Sequence, residues 1–566
     1  MGELKKTFLA GFAVLIILLI APYYLEWIGY NDAQVAGLKN PEDNKGSFVD
    51  PVEPTMPEPQ AIQKPGPKNS QNIKEESVVV HTSLYTAVIS NTGGGSLKYY
   101  KLNNYFGAWD KGVYVDSMGV TLLSSDESGC APCVGSNNKV FDLPFECSAP
   151  GGWKNNKEFY LSENESIDIV CSFVDGLGDQ YTKTTTLNEG SFVFNHEVLK
   201  DNGTINTGIY LTWDSGINNT EKNLYDENSY SGVSVSYNEE IETSSFIPGT
   251  LKDQLEPLEY SGDINWIAIR NKYFIAAIIP EKKAVVNNVK IGGSTRQLKE
   301  SAFSPLYYTT LSSVGAMQVK SYLGPLDIDN INALNTTLDR IMNFGWFVVQ
   351  PFSRGILWLL KILHSFGLNY GFILILFAFL VRFVTGPLTK KSFESTQKMQ
   401  AIQPKIKKIQ DKYKSDPQKL NTEMVALYRD NNVNPVGGCL PMLLQMPLLF
   451  SLFLVFRSTI EFRGAHFFGW IKDLSLPDTI FNLPFTIPLY GDQVAFLPIL
   501  LGISMFLTQK MSMTNMQGSA NQQKYMMYFM SAFFFLIFNS FPSGLNLYYL
   551  IYNILNYLQQ KSLKKV

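Results

Sequence analysis

Histidine and cysteine are scarce: the 566 residues hold four of the first and five of the second. His81 and His196 are the only histidines in residues 77–325, and no pair of carboxylates or metal-ligand cluster stands beside them. No catalytic residue, metal or cofactor is therefore expected, and the chain does not read as an enzyme. A GxxxxGK[ST] phosphate loop is also missing, which argues against an ATP-driven machine. The most informative absence is acid around Arg382. This arginine interrupts the apolar run Gly371–Pro387, and no hydrophobic run nearby offers it a carboxylate. A fixed positive charge in hydrocarbon costs at least ~2.5–3.5 kcal/mol at mid-helix. Arginine cannot shed its proton, because its pKa exceeds ~12. A wet cavity inside the membrane is expected around it.

What is present divides the chain in two. Residues 31–335 carry 23 basic and 38 acidic side chains, residues 336–566 carry 22 and 10, and the whole chain has a net charge of −3. An acidic polar block joined to a basic apolar one reads as a membrane protein with a large non-cytoplasmic domain. Residues 1–30 read as a retained transmembrane anchor. Lys5 and Lys6 precede the apolar run Thr7–Tyr24, and no small-x-small cleavage site follows it. Residues 31–76 are rich in proline and poor in large apolar side chains, which marks a disordered linker. From 77 to 330 come short alternating segments such as Ile167–Phe173 and Phe192–Val198, split by Asn-Gly, Gly-Gly and Asp-Gly turns. They predict a periplasmic β-sandwich. Cys130, Cys133, Cys147 and Cys171 suit an oxidising compartment and leave three connectivities open.

Residues 336–366 predict an amphipathic helix lying in the outer interface, with Gln350, Arg354, Lys361, His364 and Ser365 on one arc opposite Trp358, Leu359 and Ile362. Residues 367–566 hold five further apolar stretches, near 367–388, 439–460, 494–511, 525–541 and 544–560. With the anchor they make six spans. The 390–430 loop has ten basic residues, whereas 461–493 has Arg463 and Lys472 against four acids. By the positive-inside rule both termini and the 389–431 region are cytoplasmic, and the sandwich is outside. Within 389–431, Met399, Ile402, Ile406, Ile409 and Tyr413 form a coiled-coil seam, and Asp416-Pro417 starts a return helix carrying Leu420, Met424 and Leu427. Lys405, Lys407, Lys408 and Lys412 face outward on this hairpin, ready for a ribosome or anionic lipid. The expected fold class is an α-helical polytopic membrane protein with six transmembrane helices, a large all-β (β-sandwich) periplasmic domain and a cytoplasmic helical hairpin.

The last stretch is unusually polar for a span: Asn546, Tyr548, Tyr549, Tyr552, Asn553 and Asn556 recur along it, and Gln445 adds an amide to another. With Arg382 these groups can hold water in the inner leaflet. The apolar part of the last span is short, Leu545 to Leu558, so local thinning of the bilayer is expected as well.

Several motifs resemble one family. Arg382 with Gly386-Pro-Leu388, Met399–Ile406, Asn434–Pro447, Phe541–Tyr549 and Gly324-Pro325 closely resemble the bacterial YidC membrane protein insertases. The resemblance implies a bacterial inner-membrane insertase that accepts nascent membrane proteins in a hydrophilic groove open to cytoplasm and lipid. It implies translocation of short polar tails and lateral release of transmembrane segments into lipid, alone or with the Sec translocon. The groove arginine falls on Arg382, and the groove tyrosines fall on Tyr548 and Tyr549. The hydrophobic slide falls around Met446–Leu449 and Phe534–Phe538, naming Met446, Leu449, Phe534 and Phe538. A threonine frequent in the family one turn before the arginine is Ala378 here, which argues against a required hydroxyl at that position. Two other classes fit less well. A channel or transporter lacks the internal repeat among its spans. A lectin or sugar enzyme in the outer domain lacks catalytic carboxylates.

Overall fold

The computed structural model describes residues 73–564, apart from breaks at 111–112, 125–128, 137–138, 176–177, 202–207, 247–253, 282–285, 300–301, 314–315, 432, 434–439, 488–489 and 514–519. The predicted anchor, nearly all of the linker and the Asn434–Cys439 part of one motif lie outside the described residues. The chain divides into two units, 1–339 and 340–566.

The first unit is built of strands because its sequence alternates. Ser166–Val174 buries every second side chain and pairs antiparallel with Gln180–Asn188, placing Val170 opposite Thr184. Three sheets result. A nine-stranded sheet runs from Glu240–Ser244 at one edge to Glu146–Ser148 at the other; a six-stranded sheet runs from Gln254–Ser261 to Lys139–Val140. A five-stranded sheet runs from Val113–Leu123 to Lys157–Tyr160, the latter parallel to Ser77–His81. Gly232–Tyr237 and Ile264–Arg270 of the largest sheet pack on Val286–Lys299 and Ala302–Ser313 of the six-stranded one. The five-stranded sheet joins through the rings of Tyr85, Tyr100 and Phe194, and the Tyr100 hydroxyl donates to the Leu323 carbonyl at 3.0 Å. Among its described residues the unit also holds two short α-helices, α1 (Leu224–Asn228) and α2 (Ile328–Ala333).

The cysteine pairing left open by the sequence is Cys130–Cys133 and Cys147–Cys171. Both pairs pack under Gly93-Gly94-Gly95, whose three positive φ angles only glycine adopts readily. A Cβ on Gly93 would lie 2.2 Å from the Cys133 sulfur, so the close approach also requires glycine.

The second unit is helical. It contains α3 (Gln350–Ser365), α4 (Tyr370–Lys412), α5 (Pro417–Asp430), α6 (Leu440–Ser458), α7 (Phe496–Met513), α8 (Ala520–Phe538) and α9 (Ser543–Lys564). Two expectations change in detail. The span near 367–388 and the first arm of the hairpin are one 43-residue helix, α4, running through Pro387 and Pro404. Beside Pro387 two threonines bond back to their own helix: Thr385 donates to the Val381 carbonyl at 2.8 Å and Thr389 to that of Thr385 at 2.9 Å. Helix α3, expected to have two faces, has three. Ser353, Ile356, Leu357 and Leu360 are buried, Trp358 is exposed, and Lys361 on the polar side pairs with Glu461 at 3.4 Å. The Ser451 hydroxyl of α6 donates to the Val349 carbonyl at the start of α3, so α3 is packed on the bundle.

Asp416 caps α5 by accepting from the Lys419 amide at 3.1 Å, with Pro417 at the first helical position. The hairpin core is Ile402, Ile406 and Val433 with Met399, Met424, Leu427 and Tyr428 around them. Ile409, Tyr413 and Leu420, which the heptad spacing put in the seam, are only half-buried. Val433, beyond α5, closes the seam instead.

One side of α4 exposes Phe372, Leu376, Phe379, Phe383 and Val384, with Phe383 at 85% exposure, while Ile373, Leu374, Phe377 and Ala378 are buried. A continuous apolar stripe at helical spacing on an outer surface is the pattern of a helix facing lipid. Among the described residues, Tyr370–Met399 is the one helical stretch long and apolar enough to cross a bilayer, and Gln445–Ser458 and Phe496–Lys510 are shorter apolar helices.

Candidate functional site

Helices α4 and α9 lie side by side, running in the same direction. Phe377 meets Tyr548 with ring centroids 5.6 Å apart, Arg382 faces the Tyr552 ring at 5.7 Å, and Gly386 meets Gln559. The Arg382 side chain extends toward the C-terminal ends of both helices. There Nη1 donates to the Thr389 hydroxyl at 3.4 Å and Nη2 donates to Oε1 of Gln559. Gln559 in turn donates from Nε2 to the Gly386 carbonyl at 3.3 Å. The guanidinium therefore has an amide oxygen, a hydroxyl and an aromatic face around it, and among the described residues no carboxylate pairs with it. Arg382 is 8% exposed, and its Nε is buried with no hydrogen-bond partner among the described residues.

Next to this cation is a cavity of about 210 Å³, walled by Phe352 of α3, Leu380, Val384, Thr385 and Thr389 of α4, Gln445 and Leu448 of α6, and Tyr552 of α9. Arg382 is not in the wall; its ligand Thr389 and the ring that it faces, Tyr552, are. Three helices thus bring two threonines, an amide and a phenol to an otherwise apolar space. Ala378 has no hydroxyl to offer, and Thr389, on the other side of the arginine, supplies one.

The expected groove residues separate into two groups. Gln445 and Tyr552 stand in the cavity wall and Arg382 directly behind it. Asn546, Tyr548 and Tyr549 are buried in helix packing. Asn546 donates to the carbonyls of Phe538 and Phe541 at 3.1 and 3.3 Å, capping the end of α8. The Tyr548 and Tyr549 hydroxyls are buried, and neither has a hydrogen-bond partner among the described residues. Of the expected slide, Phe534 and Phe538 touch at 5.8 Å and Phe538 meets the Tyr549 ring at 5.8 Å, while Met446 and Leu449 flank the wall residue Leu448 on α6. Lys405, Lys407, Lys408 and Lys412 are exposed on the hairpin, and Lys405 also donates to the Asn431 side chain at 3.1 Å.

Three site residues escaped the sequence reading: Thr385, Thr389 and Gln559. Their spacing could have found them. Residues 382, 385 and 389 share one face of α4, as 548, 552 and 559 share one face of α9.

At the opposite end of the bundle a hairpin of Thr479–Ile487 and Gly491–Ala495 joins α6 to α7. Asn539 ties it to the end of α8, accepting from the Ala495 amide at 3.0 Å and donating to the Tyr490 and Gln493 carbonyls at 2.9 and 2.6 Å.

Residues 362–566 match the model of the 60Kd inner membrane protein, and residues 77–359 match that of the YidC periplasmic domain. The chain is thus an inner-membrane protein whose β-rich unit is a periplasmic domain. A membrane protein insertase YidC of Chlorobaculum tepidum is 36% identical over 507 residues, 86% of this chain and 81% of its own. That of Pelodictyon phaeoclathratiforme is 42% identical over 416 residues, 72% of this chain and 67% of its own. A crystal structure of an active YidC insertase, 18% identical, covers 87% of this chain and 94% of its own with a TM-score of 0.34. The chain belongs to the YidC family of membrane protein insertases, and inserting membrane proteins is not an enzymatic reaction.

Proposed function

We propose that α4, α6, α7, α8 and α9 each cross the inner membrane and, with residues 7–24, make six spans whose termini are cytoplasmic. In this reading the cavity beside Arg382 is the floor of a groove open to cytoplasm and to lipid. The hairpin pinned by Asn539 closes the outer side. A client's short polar tail enters the groove, where hydroxyls, amides and the cation lower the cost of leaving water, and its apolar segment leaves sideways along the exposed stripe of α4 and the phenylalanines of α8. The basic hairpin docks the ribosome, and the Sec translocon supplies some clients. The observation that carries this reading is a nearly buried arginine, on a helix long and apolar enough to cross a bilayer, held by neutral ligands beside a mainly apolar cavity that two threonines, an amide and a phenol help to wall. Its test is a photocrosslinker placed at Leu449 or at Thr385 with a ribosome-stalled membrane protein as client. Adducts at both sites are expected; a client that crosslinks only at exposed outer-loop control positions such as Phe485 sinks the groove.

A further inference from the structure

Gln559 uses both ends of its amide. The Nε2 end must face the Gly386 carbonyl, because only a donor bonds there, and that turns Oε1 to the Arg382 guanidinium. The side chain therefore holds Arg382 against the Gly386–Thr389 stretch of α4 and the last turns of α9, where the guanidinium is absent from the cavity wall formed in part by Thr389 and Tyr552. A glutamate here would bind the arginine more strongly, since charge-assisted pairs are roughly twice as strong as neutral hydrogen bonds. It would lose the bond to Gly386 and cancel the one positive charge of the site. A neutral ligand does neither.

We propose that Gln559 is the resting ligand of Arg382 and a determinant of client specificity: an acidic side chain in an incoming tail displaces its oxygen and draws the guanidinium into the cavity. The inference rests on the groove reading above and adds the ligand that holds its cation between clients. The direction follows from the exchange. An amide oxygen gives way to a carboxylate, so a weaker ligand is replaced by a stronger one and the resting contact is regained when the tail leaves. With a resident carboxylate the exchange would gain almost nothing. Thr389 and Tyr552 line the path, offering the moving guanidinium a hydroxyl and a ring face on the way.

The test uses the full chain in proteoliposomes and a single-span client whose translocated tail carries either two Asp or two Asn. Tail translocation is read by protease protection, and the quantity is the Asp-to-Asn ratio. Gln559→Glu is expected to lower that ratio at least about fivefold, the effect of roughly 1 kcal/mol, toward that of Arg382→Ala. Gln559→Met, neutral and similar in size, is expected to keep it well above Gln559→Glu. Should Gln559→Glu leave the ratio as in the wild type while Arg382→Ala lowers it, the latch is wrong and the groove reading stands. Should Arg382→Ala leave the ratio unchanged, the groove electrostatics fail first. A measurement on the wild-type protein guards against misfolded variants: with a photocrosslinker beside the Asp pair in the tail, adducts to 552–559 are expected, and they should fall with the Asn client. Equal adducts from both clients overturn the proposal.

Discussion

The ammonium of Lys183 donates to the Pro132 carbonyl at 2.6 Å, inside the loop closed by Cys130 and Cys133. Its second bond goes to the Gly95 carbonyl at 3.1 Å, and the residue is fully buried. Two carbonyl dipoles do not replace the hydration of an ion, and burial pushes this lysine from 10.5 down to about 7.

A folded pKa below the unfolded one means that the unfolded chain binds the extra proton between about pH 7 and 10.5. Stability of the periplasmic domain is therefore expected to rise with pH across that window, by on the order of 4 kcal/mol. Lys183→Met should flatten the rise. Thermal unfolding of both proteins from pH 6 to 10 checks it, and parallel curves would refute the assignment.

Glu227 carries the opposite slope. Its carboxylate is fully buried and accepts from the Thr220 amide at 2.8 Å and the Asn219 side chain at 2.8 Å, yet burial, and then the neighbouring Glu221, raise it from 4.5 to about 7. For a carboxyl raised in the folded state, the folded chain holds the extra proton between about pH 4.5 and 7, so stability falls as pH rises through that interval. Glu221→Gln removes the second charge. The midpoint of the fall is expected to move to lower pH, and an unmoved midpoint in chemical-denaturation curves between pH 5 and 8 would mean that burial alone sets it.

On the hairpin, fold and charge should separate. Ile406 is buried among Ile402, Val433 and Met424, so Ile406→Ala is expected to cost ~2–4 kcal/mol locally and to speed amide exchange over 399–430. Reversing Lys405, Lys407, Lys408 and Lys412 to Glu should leave exchange at 399–404 slow and weaken ribosome cosedimentation, most at low salt. Ribosome binding that survives the reversal would remove the hairpin lysines from the docking surface.

Much of this architecture was legible because its signals are local. The acid-free run around Arg382, the Asp416-Pro417 start of α5 and the two-residue period of the strands each reflect one element. What escaped depends on neighbours distant in sequence. The polar spacing of the last helix showed that Asn546, Tyr548, Tyr549 and Tyr552 matter, but not that Tyr552 alone among them reaches the cavity, since helices α4 and α8 decide which side is covered. Gln559 falls inside the expected stretch 544–560 without distinction, and only the approach of Gly386, with no side chain of its own, shows what it binds. The expected boundary between the stretch near 367–388 and the hairpin is also absent, since α4 runs through Pro387 and Pro404 without a break. The parallel pairing of Ser77–His81 with Lys157–Tyr160 has no short-range signature at all.

That continuity of α4 has a mechanical meaning. The same rod that carries Arg382 carries Ile406, roughly 36 Å farther along at 1.5 Å per residue. Any load on the hairpin is carried toward Arg382 by this one helix, and Pro387 and Pro404, both lying between the two residues, set where it can bend.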